Sequence, residues 1–499
     1  MTIPASCRLQ IDAVYEPHYQ HFADKFGTVI AGFFSDEPEL GNNRMYKMDN
    51  PLGTEQDLPW SRELAAALEE KLGRGYGALL PLLWSNDGDP FLTAKVRYAF
   101  MDSVSRLVEE DFSHQIGRWC RDHGVEYIGH VVEDNNQHAR TGTSLGHYFR
   151  GLKWQTMAGI DDIGGQVEPG MEDRRKKNVF GYHDDGEFYH YALGKLGASL
   201  GALNPHMQGR TMCEIFGNYG WKEGVRLEKY LLDHFMVRGV NRFVPHAFTA
   251  KAFPDKDCPP HFYAHGHNPQ YRHFGALMQY ADRVTGMLSG GHAVCPVAIL
   301  YHGEAEWCGK AMLMQKPGRI LQDNQIDFHY VPADVFGERD FYRTEITDKL
   351  TVNGLNHEAL VIPYTPPALT RRRVLEGFRL SVCKAADYPR FGSAREIGKP
   401  ENYALIDKKF SGFIRYETHF TGKAQLLEIT DAWEGVEVFV NGKSAGIQVT
   451  PPYRYDLRGL AGEGDNRLTI EVATTLERNR GNTKTAAPTG ITGEVALYE

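Results

Sequence analysis

Two glutamates stand where apolar runs give way to polar loops. Glu37 follows TVIAGFF (28–34) within the segment SDEPE, and Glu214 ends RTMCE ahead of IFGNYGW. A buried strand that delivers a carboxylate to its end pays for it in desolvation unless the charge is paired or used. Two carboxyl groups on either side of an acetal carbon are what cleavage of a glycosidic bond requires. One protonates the leaving oxygen, and the other attacks or activates water. The competing reading of each is a glutamate on a surface loop, and Asp36 and Glu39 beside Glu37 fit either. Glu133 and Asp134 end another apolar run, three residues after His130, in position to orient hydroxyl groups, bind a cation or supply the second carboxylate. Asp161 and Asp162 in GIDDIGG precede two glycines, which suits a turn or a helix N-cap, with Asp162 the candidate for a substrate contact. His246 in FVPHAF ends a further run, and Trp221 follows the Glu214 strand as either a sugar platform or core packing.

The elements that must position these residues alternate between helix and strand. A helix over 11–26 stops at Gly27, one over 60–72 stops at Gly73, and apolar Val96, Phe100, Val104, Leu107 and Phe112 mark a long helix over 91–123. Strands are expected at 28–34, 127–132, within GIDDIGGQV (159–167), and at 210–216 and 241–248, with helices at 145–157, 188–202, 223–238 and 272–289 between or after them. This alternation predicts βαβ units, a parallel sheet, and a site at the carboxyl ends of its strands. Five strands fall short of a closed eight-stranded barrel. Either YGALLPLLW (76–84) and similar stretches hide further strands, or the first part of a barrel is absent. From 291 three further runs predict a smaller α/β domain with a basic helix near 370–380 and a loop-like end over 383–408. From 409 the period becomes two, with turns at Asn441-Gly442 and Glu463-Gly464-Asp465, as in an antiparallel β-sandwich.

Bulk properties narrow the function. The chain has 499 residues, a net charge of −9 without a basic block, and no apolar run near the ~20 residues a membrane helix needs. Nucleic acid and membrane are therefore not expected partners. Seven scattered cysteines without CxxC pairs point to reduced thiols. With no signal-peptide pattern at the start, a cytoplasmic location is expected. HGHNPQYRH (265–273) is histidine-rich but has no firm carboxylate partner, and neither HExxH nor a phosphate-binding glycine loop occurs. No metal and no cofactor are expected; calcium held by carboxylates is not readable from spacing.

In order, SDEPE, GYGALLPLLW, GHVVED, GIDDIGG, CEIFGNYGW and RGVNRFVPHAF resemble bacterial glycoside hydrolases with clan-A-type barrels. The likeness is to family 106 α-L-rhamnosidase-like proteins and, through the barrel and a following flavodoxin-like domain, to family 42 β-galactosidases. DAWEGVEVFVNGKSAGIQVTPPYRYDL resembles the family 2 sugar-binding jelly roll. The resemblance implies a (β/α)8-type barrel lacking its first three strands over 1–290, a flavodoxin-like domain over 291–400, and a galactose-binding-like jelly-roll sandwich over 409–499. It also implies Glu37, on the fourth strand, as proton donor, and Glu214, on the seventh, as nucleophile or base. FVPHAF would be the eighth strand. One departure is Asp36, where the clan usually has asparagine before the acid. The implied function is hydrolysis of a glycan or plant glycoside, rhamnosidase-like or β-galactosidase-like. The alternatives are a truncated, non-catalytic carbohydrate-binding protein and a protomer that completes its barrel in a homo-oligomer.

Overall fold

The computed structural model describes residues 2–40, 52–54, 57–86, 88–131, 144–177, 183–309, 311–364, 372–449, 453–476 and 488–498. It divides into two compact units, residues 1–366 and 367–499.

In the first unit, five parallel strands run side by side in chain order. These are β1 (Gly32–Ser35), β2 (Glu126–Gly129), β3 (Ala158–Ile163), β4 (Thr211–Gly217) and β5 (Arg242–Pro245). β1 pairs with β2, and β4 pairs with β3 on one side and β5 on the other. Thr156 N–H donates to Tyr127 O at 2.8 Å, which brings the start of β3 alongside β2. Among the described residues the strands do not close into a barrel. YGALLPLLW contributes no strand: Tyr76–Leu83 is 3-10 helix, because Pro81 fixes φ and offers no N–H to a ladder.

Glycine sets how closely these backbones approach. A Cβ at Gly32 would lie 2.4 Å from Glu126 O, at Gly129 2.1 Å from Ser35 O, and at Gly159 1.7 Å from Gly129 O. The helix Gly194–Leu203 uses the same device on the outer face, where a Cβ at Gly201 would meet Thr211 Oγ1 at 2.4 Å.

Three more parallel strands, β6 (Val297–Leu300), β7 (Phe328–Val331) and β8 (Ala359–Val361), form a sheet with β6 in the centre. Ile299, Phe328 and Tyr330 from this sheet share one apolar cluster with Ile160, Leu196, Ile215 and Phe235. A buried ion network ties the two sheets' helices together. The Arg150 guanidinium grips both oxygens of Asp334 at 2.8 Å and reaches Asp102 at 2.8 Å. Arg106 also bonds Asp334, and Lys153 joins Glu109 to Glu338. Burial alone would raise the Asp334 carboxyl; the bond from Arg150 and the neighbouring positive charges outweigh it and hold the group well below the usual range.

Among the described residues the second unit has two larger antiparallel sheets over one apolar core, with a short antiparallel pair, Ala432–Trp433 and Gly490–Ile491, beside them. One has six strands, in the order 395–397, 378–383, 413–421, 465–473, 435–440, 443–448; the other has four, in the order 372–374, 495–498, 426–429, 453–456. Phe413–Thr421 alternates partly buried or exposed residues with buried Ile414, Tyr416, Thr418 and Phe420, and Asn441 and Gly442 make its expected turn with φ of 53° and 81°. The basic helix expected near 370–380 is instead two strands, Arg372–Val374 and Phe378–Cys383, and the loop-like stretch after it contains a third, Arg395–Ile397. All three pair inside this unit. All seven cysteines are free thiols, and no helix among the described residues is long and apolar enough to cross a membrane.

Gly159→Ala should lower the urea-unfolding free energy by at least about 2 kcal/mol, because its Cβ meets a backbone carbonyl that cannot step aside. Gly275→Ala, on an exposed helical turn with open space around it, should instead raise stability by about 0.5–1 kcal/mol. Asp334→Ala should cost about 3–5 kcal/mol by taking from buried Arg150 the carboxylate that grips it twice and leaving it only Asp102 as a bonded counter-charge. A smaller loss in the Asp334→Ala/Arg150→Met double variant would show that the under-compensated cation carries the penalty.

Candidate active site

β1 and β2 end one residue before the site begins. Ser35 is followed by Asp36 and Glu37, and Gly129 is followed by His130. Gly129 has a φ of 144°, closed to most side chains, and this stops β2 at 129 rather than at the expected 132. His130, wholly buried, is thereby the first residue past the strand. Its Nε2 lies 3.1 Å from Glu214 Oε2 and 3.4 Å from Asp36 Oδ1, so a proton on Nε2 is presented to two carboxylates.

β3 and β4 supply the opposite wall. Asp161 is the register partner of Glu214 across the parallel pair. Successive side chains on a strand point to opposite faces, so Asp161 and Asp162 part company. One ligand atom each of Glu37, His130 and Asp161 lie within 4.8 Å of one another, as do those of Asp36, His130 and Glu214. Four carboxylates thus surround one imidazole at the carboxyl end of the sheet. Either group of three offers a nitrogen and two carboxylate oxygens, a donor set suited to a divalent transition ion more than to calcium, which prefers oxygen throughout.

Asp162 points away from this ring. It is fully buried, and the Tyr219 hydroxyl donates to it at 2.9 Å while accepting from Val167 N–H at 3.2 Å. The expected turn or N-cap at 161–162 is therefore the interior of β3, and Asp162 fastens the loop after β4 rather than facing the cleft. Burial, together with the Asp162 charge, pushes the Tyr219 hydroxyl pKa well above the ordinary range.

Glu37 adopts a left-handed backbone, φ 45°, which costs about 1–2 kcal/mol in a non-glycine residue. Strain of this kind is tolerated where the surrounding structure holds it, and here it turns the carboxyl toward His130 and Asp161. Crowding by the protein raises the Glu37 pKa, the charges of Asp36, Glu214 and Glu39 add to the rise, and His130 opposes it. Bonding to His130 lowers the Asp36 pKa in turn. Two adjacent carboxyls are thus pushed apart in proton affinity, the arrangement that separates an acid from a base.

Of the other expected residues, His246 follows β5, its N–H donating to Ile215 O at 2.8 Å, and its charge is felt by Asp36. Trp221 is exposed and packs edge-on against Phe253 and His261, with centroids 5.6 and 5.7 Å away. Glu133 and Asp134 lie outside the described residues. His130 and Asp161 are named in the sequence reading but given no part in the site there; the glycine before His130 was the available signal.

A solved rhamnosidase from Novosphingobium sp. PP1Y is similar to the whole of this chain, at 12% identity and a TM-score of 0.50, with 64% of that protein covered. The chain therefore spans less than two thirds of the rhamnosidase's length, and the two share a fold. A β-galacturonidase of glycoside hydrolase family 2 from Eisenbergiella tayi matches 26% of the chain and 24% of its own, at 16% identity and a TM-score of 0.21. A β-glucuronidase from Ruminococcus gnavus matches 26% of the chain and 29% of its own, at 14% identity and a TM-score of 0.22. No protein-family model matches the chain, and no curated protein does. The fold is glycoside-hydrolase-like.

An NMR titration of the glutamate side-chain carboxyl carbons should place the Glu37 midpoint above the ordinary value for glutamate, about 4.3. In Glu214→Gln, which removes one like charge, that midpoint should move down. A midpoint at or below the ordinary value, unmoved by the substitution, would contradict the electrostatics of the ring.

Proposed function

We propose that the chain is a glycosidase of rhamnosidase-like type, cleaving an O-glycosidic bond at the carboxylate ring. The observation that carries the reading is the convergence of Asp36, Glu37, Asp161 and Glu214 around His130 at the carboxyl ends of parallel strands. The fold shared over the whole chain with a rhamnosidase supports it. Glu37, whose pKa is raised, holds the proton for the leaving oxygen. Glu214, aligned by His130, attacks the anomeric carbon or draws a proton from water. Asp161 and Asp36 orient sugar hydroxyls, and His246 lines the same end of the sheet. Trp221 lines a separate cavity beside the helix that follows β4, and none of these residues lines it. In this reading the second unit is the sugar-binding jelly roll that the resemblance implies, its two antiparallel sheets and shared core being what such a module needs.

The test is hydrolysis of aryl α-rhamnoside, β-galactoside, β-glucuronide and α-arabinoside by the wild type, Glu37→Gln and Glu214→Gln. Turnover of the α-rhamnoside is expected, with kcat/KM falling about 10²–10⁴-fold in Glu214→Gln. Glu37→Gln should lose less on a nitrophenyl glycoside, whose leaving group needs no proton, than on an alkyl glycoside. Wild-type rates should fall as pH rises through the Glu37 pKa, because the protonated form does the work. Saturable sugar binding without turnover of any substrate would overturn the enzymatic reading in favour of a binding protein.

A further inference from the structure

β4 carries one residue more than the strand beside it. Its pairing with β3 is regular from Ala158–Thr211 to Asp162–Ile215, but Ile163 then faces Gly217, which leaves Phe216 over. Phe216 is wholly buried and has a φ of 82°, a left-handed backbone that glycine usually supplies at a bulge. Asn218, two residues on, is left-handed as well, with a φ of 57°. Strain of this kind persists only where its surroundings fix it, and here it begins two residues from Glu214.

The fixing contacts stand on both sides of the bulge. Before it, His246 N–H donates to Ile215 O at 2.8 Å. After it, Gly164 N–H donates to Gly217 O and Gly220 N–H to Pro259 O, both at 2.8 Å. Tyr219 adds a side chain to these backbone tethers. Its buried hydroxyl donates to Asp162 at 2.9 Å and accepts from Val167 N–H at 3.2 Å, so β3, the loop after β3 and the loop after β4 meet at one oxygen. A bulge bends its strand, and a charge-assisted bond across the bend fixes its direction.

The consequence reaches the carboxylate ring. Side chains alternate along a strand, so Glu214 and its register partner Asp161 face the cleft while Ile215 and Asp162 are buried behind them. With the loop beyond the bulge untied, residues 215–217 are free to relax, and Glu214 loses its set distance of 3.1 Å to His130. We infer that Tyr219 and Asp162 are a positioning pair for Glu214, holding it against His130 by fastening the loop beyond the Phe216 bulge. The inference rests on the glycosidase reading for the task of Glu214, and adds two residues that hold it in place without touching substrate.

The experiment is NMR at neutral pH on the full chain labelled with ¹⁵N-histidine, following the His130 ring N–H, which is assigned by its absence from His130→Gln. Tyr219→Phe should shift this resonance in the direction that Glu214→Gln shifts it. Adding Tyr219→Phe to Glu214→Gln should shift it no further, because the effect passes through that one carboxylate. The phenol is uncharged at this pH, its proton held more firmly than usual by burial and by the Asp162 charge, so its loss acts on His130 only by displacing other groups. Asp162→Asn keeps an oxygen for the hydroxyl and should give a smaller shift of the same sign; melting temperatures establish folding, and this variant serves if Tyr219→Phe does not fold. On a glycoside that the wild type hydrolyses, Tyr219→Phe should lower kcat about tenfold with KM held within about threefold. An unmoved resonance, a shift that persists in the Glu214→Gln background, or an unchanged kcat would each overturn the inference. The resonance is read without turnover: its shift with no hydrolysis by the wild type refutes the proposed activity alone, and hydrolysis with an unmoved resonance refutes the positioning pair alone.

Discussion

The chemistry of the cleft depends on how near three backbones can come to one another. β2 is held between β1 and β3 at distances that leave no room for a Cβ at Gly32, Gly129 or Gly159. Parallel strands place equivalent residues at equal height, so this packing brings the ends of β1 and β2 to the level of the Asp161–Glu214 pair on β3 and β4. The imidazole of His130 then occupies the centre by necessity, because it is the first residue that Gly129 releases from the sheet. A larger residue at any of the three glycines would separate Glu37 from Asp161 before it disturbed the core.

A second layer of order comes from charge. The network of Arg150, Asp334, Asp102, Arg106, Lys153, Glu109 and Glu338 spans helices that are far apart in sequence and mostly out of water. Buried ion pairs of this kind often add little net stability, since desolvation offsets attraction. Their effect is on geometry: a planar guanidinium gripping both oxygens of one carboxylate admits a single approach. The helices behind β1–β5 and those behind β6–β8 are thereby set in one arrangement while they share an apolar core.

Much of this was legible in the chain itself. Five strands alternating with helices, three further strands after 291 and period-two strands with an Asn-Gly turn all follow from apolar spacing and turn residues. The end of β1, and hence Glu37, follows from where an apolar run meets acid, whereas Glu214, expected to end its strand, lies inside β4, which runs on to Gly217. The misreadings have local causes. Val131 and Val132 continue the apolar run of β2, so composition alone carries the strand past Gly129 and hides His130. Asp161 and Asp162 lie in a strand buried on both faces, where the alternation that would tell cleft from core is lost. Arg371–Arg373 resemble one turn of a basic helix, yet Arg372–Val374 pairs with Val495–Tyr498, a partner more than 120 positions away that no local pattern announces.

That pairing decides when the second unit can form. Strand 495–498 is an interior member of the four-stranded sheet, flanked by 372–374 and 426–429. During synthesis on the ribosome, both neighbours emerge long before the strand that joins them, and until then each presents an unpaired edge. The first unit's residues are already outside the tunnel by that time. The four-stranded sheet is therefore completed only once strand 495–498 is available, after the strands on either side of it have been made.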